Sequence, residues 1–182
     1  MTTRKAQDPS ELQGILDLQV INLKQSLSAK KRQAEGFLTV KYDFEFLDLM
    51  HQQQGHIVTI DQGKVVAYAL SMPKLLGVAI SILDPMFERL DKLHYRGQAL
   101  NQSTYYIMGQ VCIAENYRGQ GIFQQLYQGH KDCFQNDFDY CITMVSIKNR
   151  RSIRAHQKVG FKTIHAFSDK TDDWEIILWD WS

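Results

Sequence analysis

Cysteine is scarce in this chain of 182 residues, which contains three. Cys112, Cys133 and Cys141 are an odd set without Cys-x-x-Cys or Cys/His ligand spacing. The sequence therefore supports neither a disulfide framework nor a zinc site. We expect three buried thiols and no metal cofactor.

Long apolar runs are also missing. The longest strongly apolar stretch, residues 75–83, is too short for the roughly 20 residues of a membrane-spanning helix. The opening Met-Thr-Thr-Arg-Lys-Ala has no apolar signal core. We expect a cytoplasmic protein with no membrane partner.

Neither sign of charge is in excess, since 21 Lys and Arg face 20 Asp and Glu for a net charge of +1. Such a chain has no overall field for gathering nucleic acid. The run 148–154 contains four cations but no interleaved aromatic residue. This run is more typical of a solvated helix face or of phosphate contacts to a small ligand than of RNA binding.

The composition is that of a globular protein, with 44% hydrophobic residues, 3 Pro and 11 Gly. No repeat, low-complexity tract or Pro/Gly/Ser-rich linker divides the sequence, so we predict one domain over residues 1–182.

Helical spacing of apolar residues alternates with β-branched runs along the chain. The segment 73–104 has little strand character, and we predict that it is an insertion or lid with a helix over 80–93. The other predicted helices cover about 9–23, 43–53, 122–134 and 150–158, and the predicted strands cover 56–60, 64–70, 105–114, 138–146, 161–167 and 174–181. This order predicts an α/β fold with a mixed sheet and helices on both faces.

The junction between a strand and a helix at Arg118-Gly119-Gln120-Gly121-Ile122-Phe123 is the most informative local feature. Glycines let the backbone turn sharply, and the free N–H groups at a helix start attract an anion. Arginine adds a forked donor that suits a phosphate. Since neither a P-loop nor a GxGxxG fingerprint is present, nucleoside triphosphate hydrolysis and dinucleotide chemistry are not supported.

A second motif follows about thirty residues later as Asn149-Arg-Arg-Ser-Ile-Arg-Ala-His156-Gln-Lys-Val-Gly160-Phe161. Together with the RGQG turn, it resembles the GNAT superfamily of acyl-CoA-dependent N-acyltransferases, most closely over residues 105–167. The resemblance implies a single-domain, mostly antiparallel sheet whose fourth and fifth strands splay apart. It also implies acetyl-CoA as co-substrate and transfer of an acetyl group to the primary amine of a small molecule by direct attack on the thioester.

The resemblance also implies a cofactor-binding set. The backbone of the fourth strand would pair with the pantetheine arm, the turn would wrap the pyrophosphate, and Asn149 matches an asparagine that commonly contacts the cofactor. The implied cofactor-binding residues are Val111, Cys112, Ile113, Arg118, Gly119, Gln120, Gly121, Ile122, Phe123 and Asn149.

Three residues depart from the family pattern. Phe123 stands where the motif has Gly or Ala, and Met144 stands where some relatives have a glutamate base. His156 occupies the place of a tyrosine that protonates the departing thiolate, and we take it as a candidate general acid or else a packed histidine. The base must then lie elsewhere, at Glu115, Glu88 or His94, or be water. Cys112 is an alternative acyl-accepting nucleophile.

The acceptor is not specified by any motif. The segment 73–104 carries Phe87, Glu88, Asp91, His94, Tyr95 and Arg96, a mixture that would suit a small polar amine if the segment covers the acceptor side, or packing on the sheet or on a second subunit if it does not. Trp174, Trp179 and Trp181 indicate core or homodimer packing, and an aromatic platform for a substrate is the alternative. Two other functions remain open: a catalytically silent CoA-binding module and an acetyltransferase for protein lysines or N-termini.

Overall fold

The computed structural model describes residues 1–77 and 79–181. Its main sheet has seven strands in the order β1-β2-β3-β4-β5-β7-β6. Neighbouring strands are antiparallel except for the parallel pair β4 and β5. The strands are β1 (Thr2–Lys5), β2 (Ile57–Asp61), β3 (Lys64–Met72), β4 (Tyr105–Ile113), β5 (Tyr140–Ser146), β6 (Lys162–Ser168) and β7 (Asp173–Asp180).

Seven α-helices accompany the sheet in the described residues. They are α1 (Pro9–Asn22), α2 (Ala29–Glu35), α3 (Phe44–Gln54), α4 (Lys74–Gly77), α5 (Asp84–Leu90), α6 (Ile122–Phe134) and α7 (Arg150–Val159). Short 3₁₀ turns cover Lys24–Ser26, Ser81–Leu83, Leu100–Gln102 and Glu115–Tyr117. No helix in these residues is long and apolar enough to cross a membrane.

The helix boundaries follow local capping chemistry. The side chain of Asp8 accepts a hydrogen bond from the amide of Ser10, and Asp43 accepts one from the amide of Phe46. Each caps the unpaired amides at a helix start. Gly160 ends α7 in the left-handed region, with φ +112°. The predicted helices 9–23, 43–53, 122–134 and 150–158 are therefore present, with ends that differ by one or a few residues.

Both faces of the sheet are covered, because successive side chains of a strand point to opposite faces. On β3, Tyr68 and Leu70 belong to the core cluster that contains Leu12 of α1 and Leu47 of α3. Ala67 and its alternating neighbours belong to the opposite cluster, which contains side chains of α6 and α7. The predicted mixed sheet with helices on both faces is confirmed.

The segment 73–104 differs from the prediction in detail. A single helix over 80–93 is wrong, because Pro85 lacks an amide hydrogen and its ring clashes with the carbonyl four residues earlier. A 3₁₀ turn precedes α5 instead, and Pro85 lies in the first turn of that helix. A ribbon pairing His94–Tyr95 with Gln98–Ala99 follows. Val78 lies outside the described residues.

The segment packs on the sheet through its apolar residues. Leu83, Met86, Phe87 and Leu90 are buried in the same cluster as residues of β4, β5 and β7. The sequence analysis missed α2 and also the edge strand β1, which pairs with β2 from Thr2 to Lys5.

Candidate functional site

The central strands separate part of the way along their length. Strands β4 and β5 pair only from Tyr105 to Ile107 and from Tyr140 to Ile142. Beyond these residues β4 continues to Ile113 and β5 to Ser146. The pairing of β4 with β3 slips by one residue at Gly109, and such a bulge bends the strand. The predicted splay of the fourth and fifth strands is confirmed by this register.

A first cavity, here called the splay cavity, lies where the two strands part and has a volume of about 100 Å³. Its walls come from β4, β5, α7 and β7. Two further segments, residues 37–40 and residues 82–83, were not predicted to meet there. The lining residues are 37–40, 107–111 and 143–146, with Ile82, Leu83, Asn149, Ser152, His156 and Trp174.

A second cavity, here called the turn cavity, has a volume of about 190 Å³ and lies toward the RGQG turn. Its lining contains the predicted residues Val111, Cys112, Ile113, Arg118, Gly119, Phe123 and Asn149, together with Asn22, Arg151, Ser152, Ala155 and residues 35–38. Five residues line both cavities, namely Phe37, Leu38, Val111, Asn149 and Ser152. The two cavities therefore adjoin along a shared wall.

The glycine turn has the backbone geometry of an anion cradle. Gly119 and Gly121 have φ of +77° and +79°, values that favour glycine. A Cβ on either would meet no heavy atom of the described residues within 4 Å, so the space in front of the turn is open. Gly121 is the N-cap of α6, and no side chain of the described residues caps it. The free amides at the start of α6 are thus available to a phosphate group.

The guanidinium of Arg118 is bonded to protein groups. Its Nε donates to the carbonyl of Ile113 at 2.9 Å, and one Nη donates to Oδ1 of Asn22 at 2.9 Å. The other Nη forms an ion pair with Glu35. These bonds use three of the five N–H donors of the guanidinium, so two N–H groups are not used by them and can serve a phosphate contact. Gln120 is exposed, and its amide donates to the carbonyl of Asn116.

Phe123 does not obstruct the cradle with its side chain. Its ring packs edge-on against His156, with centroids 5.2 Å apart, and lies 4.8 Å from the ring of Tyr127. Ile122, the first residue of α6, is buried in the core beneath the turn. A bulky residue in place of Gly or Ala is accommodated because it faces α7.

His156 is buried, with 1% of its surface exposed. Its Nδ1 donates to the carbonyl of Ser152 at 2.8 Å, because a carbonyl only accepts. Its Nε2 therefore accepts from the hydroxyl of Tyr127 at 2.5 Å. Burial lowers the pKa of His156 to about 4. Burial thus favours the neutral ring near pH 7, and the role of His156 as a general acid stays a prediction.

The same arrangement occurs a second time in the core. His130 contacts the carbonyl of Ala69 at 3.0 Å and the hydroxyl of Tyr106 at 2.9 Å, and burial lowers its pKa to about 4. It lines neither of the two cavities. A tyrosine, a histidine and a backbone carbonyl thus form a packing unit twice in this core. This similarity supports the packed-histidine alternative for His156.

A segment that the sequence analysis left without a role covers the junction of the cavities. We call residues 29–38 the strap, which consists of helix α2 followed by Gly36, Phe37 and Leu38. Phe37 and Leu38 line both cavities. The strap is therefore part of the wall that the two cavities share.

Helix α7 holds the strap through two side chains. Nδ2 of Asn149 donates to the carbonyl of Phe37 at 3.2 Å, while its Oδ1 caps α7 by accepting from the amide of Ser152. Arg151 donates to the carbonyl of Ala34 at 3.3 Å. Asn149 is thus used by the strap as well as by the helix that it caps.

The strap also approaches α7 closely. Gly36 has φ +81°, and a Cβ there would lie 2.8 Å from Oδ1 of Asn149. Ser28 accepts from the amide of Lys31 at the start of α2. A cap serine followed eight residues later by glycine is a helix signature that would have revealed α2 in the sequence.

The proposed bases lie away from the splay cavity. Glu88 and His94 are exposed on the segment 73–104, and Glu115 is exposed and paired with Lys31 at 2.8 Å. None of the three lines the splay cavity, whereas Met144 does. From the segment 73–104, the described lining residues are Ile82 and Leu83. The polar residues Glu88, Asp91, His94, Tyr95 and Arg96 of this segment therefore do not line the splay cavity, and their place near the acceptor stays a prediction.

The cysteines do not form a reactive centre. Burial raises the pKa of the Cys112 thiol to about 12 and that of Cys141 to about 12. Cys133 is exposed, so the expectation of three buried thiols is wrong for this residue. The described residues contain no group of three or more His, Cys, Asp or Glu side chains that could hold a metal ion.

Solved structures share this fold over the whole chain. A protein from Streptococcus mutans is 14% identical with a TM-score of 0.66, and both chains are covered completely. The ribosomal-protein-S18-alanine N-acetyltransferase from Escherichia coli is 11% identical with a TM-score of 0.64, and the match covers 100% of this chain and 94% of that one. Such low identities establish a common fold alone.

A protein from Salmonella typhimurium, solved with its cofactor acetyl-CoA, is 14% identical with a TM-score of 0.64, and the match covers 100% of this chain and 94% of that one. No curated protein sequence is significantly similar to this chain. The fold with its split strands is therefore one that this chain shares with these solved structures.

The family model described as the acetyltransferase (GNAT) family matches residues 21–161. The match spans most of the chain, and the chain belongs to this family. Membership supports an acetyl-CoA-dependent acetyltransferase.

Proposed function

We propose that this protein transfers an acetyl group from acetyl-CoA to the primary amine of a small molecule. The observation that carries the proposal is the pair of adjoining cavities between the split strands and the open glycine turn. One cavity leads to an anion cradle, and the other is lined largely by apolar side chains. Two reactants can thus approach the shared wall from opposite sides.

The turn cavity suits the coenzyme. The amides at the start of α6 and the open space at Gly119 and Gly121 fit a pyrophosphate. The part of β4 that no longer pairs with β5, residues 111–113, offers backbone groups to the pantetheine arm. Acetyl-CoA supplies an activated thioester when it is bound. Arg118 and Asn149 contribute by holding the strap in place.

The splay cavity then receives the acceptor. The amine nitrogen attacks the thioester carbonyl carbon, a C–N bond forms, and the C–S bond breaks with its electron pair on sulfur. Backbone amides of β4 beyond Ile107 polarise the carbonyl. No carboxylate of the described residues lines the splay cavity, so the amine proton passes to water, and the CoA thiolate takes a proton from water to leave as the thiol. His156 positions the wall through Ser152 and does not itself donate a cationic proton.

A catalytically silent CoA-binding module is the second candidate. The observation that favours it is the absence of an ionised acid or base among the described residues of the splay cavity. The two candidates differ in turnover and not in binding, because both use the turn cavity. A measurement of product therefore separates them.

The test is release of the CoA thiol when a mixture of primary amines is added to protein and acetyl-CoA. We expect amine-dependent release, with the acetylated amine detected by mass spectrometry. Direct attack further predicts no acetylated protein intermediate and full activity in Cys112→Ala, because the Cys112 thiol is protonated. Binding of acetyl-CoA without release for any amine would favour the silent module.

A further inference from the structure

The splay cavity carries no formal charge. Among the described residues that line it there is no Asp, Glu, Lys or Arg. Its one histidine, His156, is neutral near pH 7 because burial lowers its pKa to about 4. A charged group on a ligand would therefore meet no counter-ion in this cavity.

The polar side chains that β4 and β5 contribute to the lining are paired within the protein. Gln110 accepts from the hydroxyl of Tyr68 at 2.6 Å and donates to the carbonyl of Val40 at 2.8 Å. Thr143 donates to the carbonyl of Met108 at 2.9 Å. These bonds hold both side chains in place, and the capacity that remains, a second N–H of Gln110 and the lone pairs of the Thr143 hydroxyl, is neutral.

A carboxylate behind the wall is neutralised by a lysine. Asp172 accepts from the hydroxyl of Ser146 at 2.9 Å and pairs with Nζ of Lys148 at 2.6 Å. Its side chain is only 3% exposed, so the carboxylate lies behind Ser146 and faces the lysine. On the segment 73–104, Glu88 and Asp91 are exposed and do not line the cavity.

Resting on the proposed function, we propose that the acceptor is a small monoamine whose body is uncharged and apolar. A second ammonium or a carboxylate would lose its hydration on entering the cavity without gaining a partner. The apolar lining from Phe37, Leu83, Met108 and Trp174 instead favours a hydrocarbon body. A volume of about 100 Å³ suits a body of small size.

The walls favour a small molecule over a polypeptide. The strap contributes Phe37 and Leu38 on one side, and the turn before α5 contributes Ile82 and Leu83 on another. Strands β4 and β5 form the floor. These segments line the space on more than one side, and we take a small molecule as its occupant; acetylation of a peptide is an outcome of the test below.

Three amines with comparable chains test this inference: n-butylamine, 1,4-diaminobutane and 4-aminobutanoate. We would measure the binding of each to the CoA-loaded protein by calorimetry and the rate of CoA release with acetyl-CoA. We expect the affinity and the kcat/KM for n-butylamine to exceed those for 1,4-diaminobutane and 4-aminobutanoate, which carry a second charged group, at least about tenfold.

A matched pair of variants places a charge in the wall. Ile82 is half-buried on a surface turn, so Ile82→Glu is compatible with folding, and Ile82→Gln is its neutral control. The glutamate should raise the relative affinity for 1,4-diaminobutane about tenfold, whereas the glutamine should leave the order unchanged.

Equal or tighter binding of a charged amine by the wild-type protein would overturn the inference, as would acetylation of a peptide N-terminus in preference to all three amines. In both cases acetyl-CoA would still bind to the protein. Acetylation of any acceptor would still support the proposed function, acetyl transfer, while contradicting the inferred acceptor class. Failure of acetyl-CoA to bind, measured in the same calorimeter without amine, would instead contradict the proposed function. The two failures are thus distinguishable.

Discussion

The turn cavity and the splay cavity share a wall but are built in different ways. The glycine turn of the turn cavity lies on one continuous stretch, from Val111 on β4 to Phe123 on α6, which supplies six of the fifteen lining residues. The splay cavity combines segments as distant as Phe37, Ile82 and Trp174. The first presents backbone amides, open space and the charged Arg118, Glu35 and Arg151, and the second presents apolar and neutral polar side chains without a formal charge. Local sequence thus determines the anion cradle, whereas the acceptor wall depends on tertiary packing.

The largest expected effect is on acetyl-CoA affinity, in a double variant that alters the glycine turn and leaves the splay cavity intact. In Gly119→Val with Gly121→Val, two β-branched residues must adopt positive φ, so the turn moves and side chains enter its open space. We expect acetyl-CoA affinity to fall about 100-fold or more, or ~3 kcal/mol. Calorimetry measures this change.

The matched control is Gly63→Val with Gly97→Val. These glycines also have positive φ, +75° and +84°, and open space in front of them, but they line neither cavity. An equal loss of affinity in the control would show that backbone strain, and not the cradle, explains the result. Circular dichroism would establish that both variants remain folded.

The next effect compares two of the buried histidines, His156 and His130. In the unfolded chain a histidine has a pKa near 6.5, whereas the folded-state pKa of His156 and of His130 is about 4. Above pH 6.5 both states are neutral and this difference has no effect. As the pH falls from 6.5 to 4, each histidine binds a proton in the unfolded state but not in the folded state, so the free energy of unfolding decreases.

Each of these histidines therefore costs up to about 3 kcal/mol of stability at pH 4 relative to pH 7. Urea titrations across this range should show a shallower decline in the free energy of unfolding for His156→Gln and for His130→Gln. Only His156→Gln should also change kcat, because His156 lines the splay cavity. An inflection of kcat near pH 6.5 that disappears in His156→Gln would contradict its neutral state.

The smallest effect concerns the strap, which is common to both cavities. Glu35→Gln removes a partly buried ion pair with Arg118, so the strap should loosen and KM should rise about three- to tenfold for both substrates. The control is Lys31→Gln, which removes an exposed pair with Glu115 on the same segment. Exposed pairs contribute ~0–1 kcal/mol, and we expect little change in KM. Steady-state kinetics of the two variants would separate these outcomes.

The different origins of the two cavities explain what sequence reasoning could predict. The turn was found because glycines with positive φ before an amphipathic helix leave a local pattern. The splay followed from the resemblance, and its register reflects a bulge at Gly109 that no motif marks. His156 was located, but its protonation depends on burial and on Tyr127, which is 29 residues away.

The acceptor wall could not be predicted in the same way. Glu88, Asp91 and His94 were expected near the acceptor if the segment 73–104 covers it, yet they are exposed and do not line the splay cavity. The lining instead uses apolar residues such as Phe37 and Leu83, whose positions depend on contacts between distant elements. The ion pair of Arg118 with Glu35 likewise joins residues 83 positions apart.

The most direct measurement compares the calorimetric affinity of the wild-type protein for acetyl-CoA and for S-acetylpantetheine, which lacks the nucleotide and its pyrophosphate. If the amides at the start of α6 bind that pyrophosphate, acetyl-CoA should bind with micromolar affinity and at least about 100-fold more tightly than S-acetylpantetheine. Equal affinities, or no binding of acetyl-CoA, would contradict the assignment of the glycine turn as the anion cradle.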